Sequence, residues 1–105
     1  NILKKMVKKN LNSEKIIKKI EKNKKNIRKF RVKKIGLFGS YVKDKQHRKS
    51  DIDFIVSFEK ETFDNYTDLL LLLEKIFKRK IDLIIEKDLH PEFRYVKKEA
   101  KYARL

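Results

Sequence analysis

The chain has 105 residues, 43% of them charged, with a formal net charge of +15 and no cysteine. That length suits one domain with a modest core, and the lack of cysteine excludes disulfides and thiolate metal sites. No apolar run approaches the ~20 residues of a membrane span, and no apolar stretch follows the basic start Asn1 to Asn10 as in a signal peptide, so a cytoplasmic protein is expected.

Residues 1–11 read as a basic N-terminal segment, and 12–105 as the domain itself. Asn12 or Ser13 can cap a helix running to about Ile27, with Ile16, Ile20, Ile27 and neighbouring Ile17 as its apolar stripe. Val32 to Phe38 reads as a first strand. A short helix is expected after Ser40 through Tyr41 and Val42, followed by a polar loop from Lys43 to Lys49. Asp51 to Phe58 reads as a second strand, with Ile52, Phe54, Val56 and Phe58 on one face. Glu59 to Asn65 is polar and reads as a turn. Tyr66, Leu69, Leu70, Leu73 and Phe77 then recur at helical spacing. Lys80 to Glu86 reads as a third strand. Pro91 suits the first turn of a last helix, with Phe93, Val96, Ala100 and Ala103 facing inward. Alternation of this kind predicts an α/β fold: a small three-stranded mixed sheet flanked by about four helices. A crossover helix between strands two and three allows a parallel pair.

Chemistry concentrates around the second strand. Gly39-Ser40 ends strand one, ten residues follow (Tyr41 to Ser50), and Asp51-Ile52-Asp53 opens strand two. Residues i and i+2 of a strand share a face, so Asp51 and Asp53 project together. Two carboxylates that close repel unless a cation lies between them, and hard oxygen ligands suit Mg²⁺. A Gly-Ser turn opposite them offers N–H groups and a hydroxyl to phosphate. For the two groups to meet, strands one and two must run antiparallel. Asp82, near the start of strand three among apolar β-formers, would then reach the same rim from a parallel neighbour. Ser50 either orients this loop or merely starts the strand.

Phe38-Gly39-Ser40-Tyr41, the ten-residue gap and Ser50-Asp51-Ile52-Asp53-Phe54 resemble the Gly-Ser-x10-Asp-x-Asp signature of the polymerase-β-like nucleotidyltransferases. The short length and the Asp82 strand are most similar to the minimal nucleotidyltransferases, antitoxin partners of HEPN-domain toxins. The resemblance implies a palm-like nucleotidyltransferase fold and two Mg²⁺ ions held by Asp51 and Asp53, one of them also on the triphosphate of ATP. It implies that Asp82 completes the catalytic metal site, and that Gly39 and Ser40 meet the phosphates. It further implies that AMP passes to a tyrosine of the cognate HEPN toxin, with loss of pyrophosphate. Members often carry Arg where Lys43 stands; lysine keeps the charge of a phosphate contact there but loses the bidentate fork.

Two other readings stand beside this one: a catalytically silent binding antitoxin or RNA-associated protein, and nucleotidyl transfer to a small molecule or an RNA end. The charge bears on the first. Residues 1–34 carry 15 Lys/Arg against Glu14 and Glu21, whereas residues 35–105 carry 15 against 13 Asp/Glu. Such a segment suits phosphates or an acidic partner, or is a solvated lysine-rich face. Without an aromatic RNA-binding motif it implies only weak, non-specific nucleic-acid binding. His47, His90, Tyr66, Tyr95 and Tyr102 read as loop or packing residues, the tyrosines at helical positions.

Overall fold

The protein is described from a computed structural model, which covers residues 11–43, 45, 46 and 50–105. The basic segment 1–10 and His47 therefore lie outside the described residues. Asn12 caps helix α1 (Ser13–Lys22), its Oδ1 accepting from Lys15 N–H at 2.9 Å. Where the sequence predicts one helix to Ile27, the structure has two, because Asn23 interrupts it. The Asn23 side chain donates back to the Lys19 carbonyl at 2.8 Å, competing for a helix acceptor, and α2 (Lys24–Lys29) follows. Strand β1 (Val32–Phe38) matches its prediction, β2 is Ile52–Phe58, and β3 is Ile81–Ile85.

Between β2 and β3 runs helix α3 (Phe63–Phe77), which begins inside the stretch predicted as a turn. Thr62 explains the early start: its hydroxyl accepts from Asn65 N–H at 3.0 Å, a cap that frees the polar residues to be helical. The helix ends at Lys78 in the left-handed conformation (φ 51).

β1 and β2 are antiparallel, and β2 and β3 parallel, as the strand reading requires. The sheet has four strands, not three, in the order β3-β2-β1-β4. The predicted last helix is replaced by a 3-10 turn (Pro91–Phe93), a short helix α4 (Tyr95–Glu99) and strand β4 (Lys101–Tyr102). Local helical spacing lost here to the open edge of β1, which gains pairing from Lys101 and Tyr102. Gly36 permits it: a side chain there would come within 2.9 Å of the Tyr102 ring. Of the residues predicted to face inward, Val96 is buried, whereas Phe93 is 45% exposed. Tyr102 sits in a strand, not on a helix.

The core lies between one face of the sheet and α1–α3. Ile16, Ile20, Ile27, Leu69, Leu73 and Phe77 pack against Ile35, Leu37, Ile52, Phe54 and Val56. The Phe54 and Phe77 rings lie 5.8 Å apart. Each such side chain contributes ~1.5–3 kcal/mol by leaving water. Among the described residues no polar or charged residue is fully buried.

Candidate active site

The side chains of β2 alternate, so Asp53 and Ile55 point away from the helical core while Ile52, Phe54 and Val56 point into it. β3 alternates likewise. The parallel register sets Asp53 beside Asp82, on strands that run ~4.8 Å apart. The Asp53 carboxyl is pushed up to about 6, by burial first, then by the charges of Asp82 and Asp51. The Tyr66 phenol, which donates to the Leu83 carbonyl at 2.6 Å, is also pushed up, by burial and then by Asp82. Asp51 stands exposed just ahead of β2.

Gly39 closes the rim from the antiparallel side, where Phe38 pairs with Asp53. Its φ of +77 is in the region that favours glycine. A Cβ there would run into Asp53 Oδ2 and lie 3.1 Å from Asp53 Cγ. Glycine is thus required twice, by backbone conformation and by the carboxylate pressed against it. Gly39–Tyr41 forms a 3-10 turn, whose Gly39 carbonyl accepts from Val42 and Lys43 N–H at 3.1 and 3.2 Å. Ser40 sits half-buried in it, and Tyr41 is buried.

Lys43 Nζ is ion-paired with Glu99 at 3.8 Å. The Ser50 carbonyl faces Arg79 Nη1 at 3.5 Å, and the same nitrogen donates to Tyr41 Oη at 2.7 Å. Arg79 escaped the sequence reading because it stands in a run of basic residues, Lys78-Arg79-Lys80, with nothing to distinguish it. His90 is paired with Glu92 at 3.2 Å, at the surface.

The donor set at the rim is hard carboxylate oxygen in a negative field, which is what Mg²⁺ takes. Among the described residues no three His, Cys, Asp or Glu side chains stand close enough to hold a metal ion as placed. The contact pair is Asp53–Asp82, with Asp51 acting on it through charge.

The fold that carries this rim has counterparts among known proteins. The family described as polymerase beta, nucleotidyltransferase matches residues 14–101. The chain belongs to this nucleotidyltransferase family. It is 45% identical over 83 residues to a Methanocaldococcus jannaschii protein provisionally named protein adenylyltransferase MJ1379, covering 75% of this chain and 81% of that one. A solved structure provisionally described as a minimal nucleotidyltransferase superposes with a TM-score of 0.74 at 26% identity, covering 87% of this chain and 95% of that one. A toxin–antitoxin crystallised with AMP-PNP superposes with a TM-score of 0.62 at 29% identity, covering 88% and 72%. No helix among the described residues of this nucleotidyltransferase is long and apolar enough to cross a membrane.

Proposed function

We propose that this nucleotidyltransferase is the antitoxin of a toxin–antitoxin pair, moving AMP from ATP to a tyrosine of its HEPN-domain toxin. Asp51, Asp53 and Asp82 would hold Mg²⁺ for the reaction. The observation that supports this most is the Asp53–Asp82 pair, set side by side by strand register with Gly39 against it. The name of the Methanocaldococcus jannaschii relative and the AMP-PNP in the toxin–antitoxin structure point the same way.

When bound, Mg²⁺ supplies charge for the triphosphate and lowers the pKa of an attacking hydroxyl. The chain's own residues do the rest. Asp51 and Asp53 present oxygens at one rim, and Asp82 adds a third beside Asp53. Gly39 keeps the turn close to these carboxylates, and Ser40 offers a hydroxyl and an N–H to a phosphate. The tyrosine hydroxyl gives its proton to the Asp82 carboxylate or to water, its oxygen bonds to the α-phosphorus, the bond to the bridging β-phosphate oxygen breaks, and pyrophosphate leaves opposite the incoming oxygen. Lys43, engaged with Glu99, would have to leave that pair to touch a phosphate.

The test is incubation with ATP, Mg²⁺ and the cognate HEPN-domain protein, followed by mass spectrometry of that protein. One or more added AMP groups on tyrosine are expected. An unmodified partner, under conditions in which both proteins are folded and associated, would overturn the proposal.

A further inference from the structure

We propose that Arg79 is a positioning residue for AMP transfer: its guanidinium holds Asp51 in place against the Gly-Ser turn and Asp82. The inference rests on the reading above. Asp53 and Asp82 are placed by the sheet ladder, which needs no further help. Asp51 is different. It precedes the first residue of β2 and arrives from the ten-residue connection Tyr41 to Ser50. The ladder reaches it from one side only, through the Ile52 N–H bond to the Lys80 carbonyl at 3.1 Å.

Arg79 joins the three pieces of chain that carry the candidate ligands. Its Nη1 carries two hydrogens. One points to Tyr41 Oη at 2.7 Å, two residues beyond Gly39; the other faces the Ser50 carbonyl at 3.5 Å, one residue before Asp51. Arg79 itself lies three residues before Asp82, and next to it the Lys80 carbonyl accepts from Ile52 N–H at 3.1 Å. Tyr41 is 1% exposed, so one end of the clasp is anchored in the core. A buried phenol left without a partner is costly, which gives the bond a second reason to persist. Lysine would keep the charge, but its ammonium ends one bond shorter and its hydrogens are not fixed in a plane, so it is not expected to meet both acceptors.

Arg79→Lys and Tyr41→Phe test this; both retain bulk and are expected to fold. Two readouts are taken on each protein. The first is hydrogen exchange over residues 50–53 without ligand, expected to speed up about tenfold in Arg79→Lys as the local opening becomes easier. The second is AMP transfer to the same HEPN-domain protein. In Arg79→Lys kcat should fall about tenfold or more, with a higher Mg²⁺ concentration for half-maximal rate, because small misplacements of reacting groups are costly. Tyr41→Phe should show a smaller change in the same direction. The double variant should be no worse than Arg79→Lys, since both remove one link. If wild type transfers AMP and Arg79→Lys matches it in kcat and Mg²⁺ requirement, or in exchange, the positioning role is overturned and the function stands. If wild type transfers no AMP, the functional reading falls and takes this role with it.

Discussion

The two faces of the sheet are built to opposite rules. The face under α1–α3 is closed by isoleucine, leucine and phenylalanine, and every side chain there gains by leaving water. The other face, at the rim where β2 and β3 begin, sets one carboxyl against another and raises Asp53 to about 6. The first face holds the fold together. The second opposes it locally, and such a cost persists where it serves a ligand. On the proposed function, stability and function are carried by alternate residues of the same strand: Ile52, Phe54 and Val56 for one, Asp53 for the other.

That division can be broken from either side. Asp53→Asn or Asp82→Ala should cut AMP transfer at least about 10³-fold, as loss of a central transition-state group does. In a thermal melt without metal, Asp53→Asn should match or exceed wild type, because the cost of a buried charge beside Asp82 and Asp51 is gone. Leu73→Ala, on the opposite face, should destabilise by about 2–5 kcal/mol in a denaturant titration, while protein that remains folded transfers AMP normally. Gly39→Ala sharpens the comparison, because it strikes the rim through the backbone. Its φ of +77 and its contact with Asp53 predict a loss of about 1–3 kcal/mol in the same titration, together with loss of transfer.

The smallest effect is on pH. Asp53 binds its proton more tightly folded than unfolded, at about 6 against an ordinary 3.8. Between these values the folded state holds the extra proton, so without metal stability should fall as pH rises through that window and level off above it. Melts across that range should show this slope in wild type and a flatter one in Asp53→Asn. An identical slope in both would separate the rim from the stability profile altogether.

How much of this was legible depends on the range of the interaction involved. Strand β1, the apolar stripes of α1 and α3, and the Gly39, Asp51, Asp53 and Asp82 positions follow from local periodicity and from residue types whose chemistry needs a rim. A period of two places Asp53 and Asp82 off the helical face, although Ile55, on the Asp53 side, is itself fully buried. The sequence by itself also constrained the strand directions, because a Gly-Ser turn can meet the aspartates of strand two only in an antiparallel pair and a crossover helix allows a parallel one. Tertiary structure decided the rest. Local spacing favoured a helix through Ala103, yet β1 had an open edge, and Gly36 left room there for the Tyr102 ring, so a fourth strand formed. The same holds for Arg79, an ordinary member of a basic run until folding brings Tyr41 and Ser50 to its guanidinium from 38 and 29 residues away. Contacts over such separations depend on which chain segments meet, and no local pattern records that.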